Sequence, residues 1–209
     1  MREKTSSPAR PVLGINHRLS QQLNFLREID AMKDIWRKTY LISGERVEND
    51  AEHSWEMAMM SAVLVEYLPN DADLHRIIMM LLIHDLVEIH AGDTFAYNDA
   101  ALADQEEREQ QAAERIFGLL PTDQANEFRL LWDEFEARKT PDARFAKAMD
   151  RLQPLLHSYY TQGKTWSESG VRADQVRKLK SVIRDASTEL GDLADHLIVD
   201  AIEQGFLPE

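Results

Sequence analysis

Two histidines and two aspartates stand in apolar surroundings where ionisable groups are costly to place: His53, the adjacent pair His84-Asp85, and Asp150. At helical spacing His53 shares a face with Met57, Met60 and Leu64, and Asp150 shares one with Ala143, Ala146, Gln153 and His157. The His84-Asp85 pair directly follows seven apolar residues, Ile77 to Ile83. Burying such groups costs several kcal/mol each unless they are paired or hold a cation. Two imidazoles and two carboxylates make a mixed nitrogen and oxygen donor set, suited to one divalent ion such as Mn²⁺, Co²⁺, Mg²⁺, Fe²⁺, Ni²⁺ or Zn²⁺. Four ligands leave one or two positions for water or substrate, which is what a catalytic metal needs. His53 alone would mean little, because a single histidine in a helix is usually a satisfied core or surface group.

Composition narrows the chemistry further. The chain has 209 residues with 24 basic against 37 acidic, a formal net charge of −13, and no cysteine. The absence of thiols excludes disulfides, thiolate catalysis and cysteine-ligated zinc or iron–sulfur centres, leaving His, Asp and Glu as metal ligands. The acidic balance, with no basic patch, argues against duplex nucleic acid and anionic membrane as partners. The longest apolar run is seven residues, far below the roughly 20 needed to span a bilayer.

The elements that must position these residues read as helices. Eight glycines and seven prolines are few for this length, and most segments repeat apolar residues at helical spacing. The expectation is an all-α, single-domain, multi-helix bundle over 16–209, with its core at about 19–162, C-terminal helices at about 171–206, and residues 1–15 as a flexible arm. A first helix is expected over about 19–32 with Leu23, Leu26 and Ile29 or Asp30 on one face. Residues 36–50 read as irregular, broken at Ser43-Gly44. A second helix starts near Asn49 or Asp50, either of which can cap its free N–H groups, and runs to about Leu68. A third spans about 71–91 and stops at Gly92. A charged, solvated helix covers about 102–120, and another covers about 123–138. Thr140-Pro141-Asp142 begins a helix to about Gln162, kinked by Pro154. Residues 163–170 read as a loop, and the C-terminal helices break near Gly191.

The order H…HD…D, with its flanking segments, resembles the HD-domain metal-dependent phosphohydrolases, in the branch related to 5′-deoxynucleotidases. The segments that carry the resemblance are Arg46–Ser54, His84–Asp93, Leu131–Glu136 and Thr140–Asp150. It implies His53, His84, Asp85 and Asp150 as ligands of the metal. Glu88 and Asp93 match the acids of an H-D-x-x-E-x-x-x-G-D segment implicated in catalysis. Arg37 matches a contact to the substrate phosphate, and Glu48 matches a position lining the same pocket. Glu88, four residues after His84, falls on the same helical face. Asp93 follows a helix C-terminus, where an anion opposes the macrodipole and so points to a metal or substrate role. That branch carries an aromatic residue just after the matched arginine. Here Lys38 and Thr39 stand there, and Phe95 and Tyr97 are candidate replacements.

The expected function is metal-dependent hydrolysis of a phosphomonoester, a nucleoside 5′-monophosphate by resemblance. The alternatives are a non-catalytic metal-containing binding or scaffolding module, and a cyclic-nucleotide phosphodiesterase of the same superfamily. The expected partner is a small phosphorylated substrate, the expected location is the cytoplasm, and the resemblance suggests a homodimer.

Overall fold

The computed structural model describes residues 16–97 and 104–209. The expected N-terminal arm, and the expected helix start at Leu102, lie outside these residues. In chain order the elements are α1 (His17–Glu28), a 3₁₀ segment (Ile29–Asp34), β1 (Trp36–Tyr40), β2 (Val47–Asn49) and α2 (Asp50–Val63). Then follow α3 (Leu74–Ile83), a 3₁₀ turn (His84–Val87), α4 (Glu88–Ala91), α5 (Gln105–Phe117), α6 (Thr122–Ala137) and α7 (Pro141–Tyr160). The chain ends with α8 (Lys164–Ser169), α9 (Ala173–Ala186) and α10 (Thr188–Glu203). The all-α reading holds, since the only sheet among the described residues is the hairpin β1–β2. None of the described helices is long and apolar enough to cross a membrane.

Helix α7 is the hub: α2, α3, α6, α9 and α10 pack on it, and β1 lies against it. Its start follows the sequence, with Thr140 Oγ1 accepting from Ala143 N at 3.2 Å and Pro141 in the first turn, where no N–H is missed. Asp142, just inside, accepts from Asp73 N at 2.7 Å and from Arg76 Nε at 3.1 Å, which ties the beginning of α3 to the beginning of α7. Pro154 lies inside a helix that continues unbroken to Tyr160.

Several expectations change. Residues 36–50, read as irregular, form the antiparallel hairpin, with Tyr40 opposite Val47 and Trp36 opposite Asn49. Two strands of five and three residues are too short for an alternating pattern to register, and the packing of Thr39 and Glu48 into the interior decides the matter. The third helix does not run straight to Ala91. It tightens to 3₁₀ geometry at His84, and the indole N–H of Trp132 donates to the His84 carbonyl at 3.1 Å. Residues 163–170 contain the short helix α8. In α1 the buried residue is Phe25, whereas Leu23 and Leu26 face outward. Helix α5 is half-buried, because Ala112, Ala113, Ile116 and Phe117 turn into the core.

The C-terminal break falls at Ser187, whose extended backbone and hydroxyl cap α10, rather than at Gly191. Gly191 lies within α10 because the helix crosses close to Arg184. A β-carbon there would stand 2.7 Å from Arg184 Cβ and 2.8 Å from its Cα. Gly191→Ala should therefore lower stability by about 1–3 kcal/mol in denaturant unfolding, instead of adding the ~1 kcal/mol that alanine gains at an unhindered helix position.

Candidate active site

Three helical regions deliver the predicted residues to one place. His53 comes from the first turns of α2, whose start is fixed by a capping box: Asn49 accepts from Glu52 N at 3.0 Å and Glu52 accepts from Asn49 N at 3.0 Å. His84 and Asp85 come from the 3₁₀ turn after α3, and Asp150 comes from the middle of α7. All four are buried. His53 Nε2 is 3.3 Å from Asp150 Oδ1 and 4.0 Å from Asp85 Oδ2, and His84 Nε2 is 2.9 Å from Asp85 Oδ1 and 3.9 Å from Asp150 Oδ1.

The partners of the other ring nitrogens fix the tautomers. His84 Nδ1 lies 2.9 Å from the Leu81 carbonyl, which can only accept, so Nδ1 carries the proton. His53 Nδ1 lies 3.0 Å from Gln153 Oε1. The amide nitrogen of Gln153 donates to Glu48 Oε2 at 2.7 Å and Glu56 Oε2 at 2.8 Å, so the amide oxygen must face His53. Each ring thus turns its Nε2 toward carboxylate oxygens, and His84 Nε2 has no hydrogen-bond partner among the described residues. Burial opposes protonation of His84, but Asp85 and Asp150 raise its pKa. Ring nitrogens and carboxylate oxygens converging in a buried space need a positive charge among them, as a proton on the ring or as a cation in its place. Ligand atoms of His53, His84 and Asp150 all fall within 4.8 Å of one another, close enough to share one ion, whereas Asp85 stands at the edge of that group, with Oδ1 on His84 and Oδ2 toward Arg37. Donor set and geometry both fit a divalent metal.

Surrounding charge keeps the acids ionised. Burial opposes the charge on Asp85, but His84 and Arg37 more than offset it, and its carboxyl is held below the usual range. Asp150 is likewise held low against its burial by Arg151 and Lys147 and by its bond to His53. Lys147 Nζ sits 2.9 Å from Asp150 Oδ2 and 4.5 Å from the centre of the Phe135 ring, which in turn packs 4.8 Å from the His84 ring.

Arg37, on β1, points inward, where its guanidinium is 3.2 Å from Glu48 Oε1, 3.3 Å from Asp50 Oδ1 and 3.1 Å from Asp85 Oδ2. Glu48 therefore faces Arg37 and Gln153 and is fully enclosed. Glu88 and Asp93 flank the other side. Gly92, at φ +79°, ends α4 in a conformation that favours glycine and turns the chain so that Asp93 follows. Asp93, Glu88 and Asp50 bring carboxylate oxygens within 4.8 Å of one another, a second grouping able to hold a cation or to share a proton. Burial and the neighbouring Asp85 raise both Glu88 and Asp50, Asp50 to about 7.

Asp50 was legible only as a helix cap. Asn49 takes that role, and the next residue, displaced by one helical step, turns to the interior. Gln153 carried a signal in its place on the inner face of α7, but its hydrogen bond to His53 spans 100 residues. His157 Nδ1 donates to Tyr40 O at 2.9 Å, and its Nε2 is 2.9 Å from Glu56. Burial opposes its protonation, but Glu56 and Glu48 raise it, so it supports the Gln153 network and stands apart from the ligand cluster. The cluster opens on a cavity of about 290 Å³ walled by Arg37, Glu88, Phe95, Tyr97, Lys147 and Trp132 among others. Phe95 and Tyr97, 5.3 Å apart and edge-to-face, line it, while Lys38 lies at its edge.

Comparison with known proteins identifies the family of the chain. Residues 29–191 match the family model described as HD domain. The human protein named 5′-deoxynucleotidase HDDC2 is 28% identical over 143 residues, 68% of this chain and 69% of its own length. The fission yeast 5′-deoxynucleotidase hdd1 is 26% identical over 142 residues, 65% of this chain and 69% of its own. A crystal structure of a protein titled predicted metal-dependent phosphohydrolase, from Magnetospirillum magnetotacticum MS-1, superposes with a TM-score of 0.89. That protein is 51% identical, and the match covers 92% of this chain and 96% of that one.

The Gln153 contact has a measurable consequence. Gln153→Leu removes the acceptor that holds the proton on His53 Nδ1, so divalent-ion affinity should fall about 10–100-fold in calorimetric titration. Imidazole ¹⁵N shifts of the metal-free variant should show His53 as a mixture of tautomers, and a single Nδ1–H form would refute this role.

Proposed function

This chain belongs to the HD domain family, and from that premise we propose that it is a metal-dependent phosphohydrolase acting on nucleoside 5′-monophosphates, releasing inorganic phosphate and a nucleoside. The observation that carries this reading is the convergence of two imidazole Nε2 atoms and two ionised carboxylates at the wall of a cavity that also presents Arg37. His53, His84, Asp85 and Asp150 are assigned to hold one divalent ion, with Mn²⁺, Co²⁺ and Mg²⁺ the first to test. When bound, such an ion polarises a phosphoryl oxygen and acidifies water.

The remaining steps belong to the chain itself. Arg37 offers a planar fork whose direction is set in advance by Glu48, Asp50 and Asp85, and a phosphate entering the cavity meets it already oriented. Lys147, held by Asp150 and Phe135, adds a second positive charge near the reacting group. Charge that builds on phosphoryl oxygens in the transition state is met by donors that need no rearrangement. Glu88 and Asp93 are placed to orient the attacking water and to move protons between water and the departing oxygen. Phe95 and Tyr97 supply the apolar surface for a sugar or base, the task that the aromatic residue after the arginine serves in the deoxynucleotidase branch. The curated relatives are named for deoxynucleotides, and the substitution of that aromatic by Lys38 makes the sugar preference a point to measure. A homodimer in the cytoplasm completes the proposal.

Two variants separate the roles. His84→Ala should lose both retained metal and hydrolysis of a nucleoside monophosphate panel. Glu88→Gln should retain the metal while kcat drops about 10²–10⁴-fold. A metal-loaded wild type that turns over no member of the panel with any of the three ions would replace the enzyme reading with a binding module. Turnover of cyclic nucleotides alone would favour the phosphodiesterase.

A further inference from the structure

One part of the cavity wall carries more positive charge than the ligand cluster uses. Lys180, on α9, lines the cavity beside Arg151 and Pro154 and is only 5% exposed. It occupies the position of an apolar residue in the stripe Ala173, Val176, Ile183, all of them buried. Its ammonium donates to the Arg151 carbonyl at 2.6 Å, which uses one of three donors. Among the described residues no carboxylate stands within ion-pair distance of it, and burial brings its pKa down to about 7. Arg151 is itself only loosely paired: Asp150 Oδ2 is 3.5 Å away and has Lys147 as its nearer partner at 2.9 Å. A buried cation without a counter-charge is unfavourable, and a chain with net charge −13 has carboxylates to spare for the purpose.

We propose that Arg151 and Lys180 form a second anion subsite in this cavity, which takes a second phosphate carried by the substrate. The proposal rests on the hydrolase reading and narrows its substrate to a 5′-phosphate compound that bears a further phosphate elsewhere. The phosphate to be cleaved meets Arg37 and the ligand cluster, and the other meets α7 and α9. The guanidinium and ammonium together provide the donors that a phosphate accepts, and the bound anion supplies the counter-charge that Lys180 lacks.

The test uses alkane-α,ω-diol bisphosphates of two to six carbons, each against the matched alkyl monophosphate, with the full-length metal-loaded protein. One chain length should be preferred over its monophosphate in kcat/KM. That preference should fall about tenfold in Lys180→Met, the loss expected for one charge-assisted hydrogen bond, and persist in Lys180→Arg. Equal loss for both substrate classes would mean that Lys180 serves the reacting phosphate, and absence of any preferred length would also overturn the subsite. If no phosphomonoester is hydrolysed at all, the hydrolase reading fails. The subsite is then judged by melting temperature: bisphosphate must stabilise the wild type more than monophosphate does, and the Lys180→Met variant must lose that difference, or the subsite fails too.

Discussion

The rest of this structure depends on the burial of ionised carboxylates among histidine rings at the centre of a helical bundle. Asp85 and Asp150 are enclosed, held ionised and within 4.0 Å of histidine ring nitrogens. Such a grouping is unfavourable in an apolar interior unless positive charge is brought to it. The fold brings Arg37 from the hairpin and Lys147 and Arg151 from α7, and leaves space on the cavity side for a cation. Aromatic packing confines the result, with Phe135 wedged between His84 and Lys147.

That constraint explains features which look like irregularities when taken alone. Helix α3 does not continue in α geometry through His84, and the tighter turn there leaves its carbonyl to the Trp132 indole. The hairpin is short and isolated from any larger sheet, yet it carries Arg37 and Glu48 side by side into the interior, where neither would be tolerated alone. Gln153 links Glu48 and Glu56 to His53, so the orientation of one imidazole is held by groups from β2, α2 and α7. A site held from so many elements is rigid in the sense that catalysis requires: its dipoles and donors are placed before a substrate arrives.

Legibility in the sequence followed the range of the interactions. Helical periodicity, the Thr140-Pro141 start of α7 and the apolar run before His84-Asp85 are local signals, and the elements they describe are present. The donor types were equally legible, because a chain without thiols and with ionisable residues at core positions admits few other chemistries. The hairpin, the 3₁₀ turn and the break at Ser187 were not, since each depends on what packs against it: Thr39 and Glu48 on the interior, Trp132 on His84, Arg184 on Gly191.

By itself, then, the sequence determined the fold class, the family and the kind of residues that meet a metal, because those are written in residue type and spacing. Only the tertiary structure decided which nitrogen of each histidine faces the cluster, that Asp50 turns inward to meet Glu88 and Asp93, and that Arg37 is already engaged by three carboxylates. The physical reason is distance along the chain. Gln153 reaches His53 across 100 residues and Lys180 reaches Arg151 across 29, so these contacts are set by how helices settle against α7 and by the electrostatic cost of each arrangement, neither of which any local pattern records.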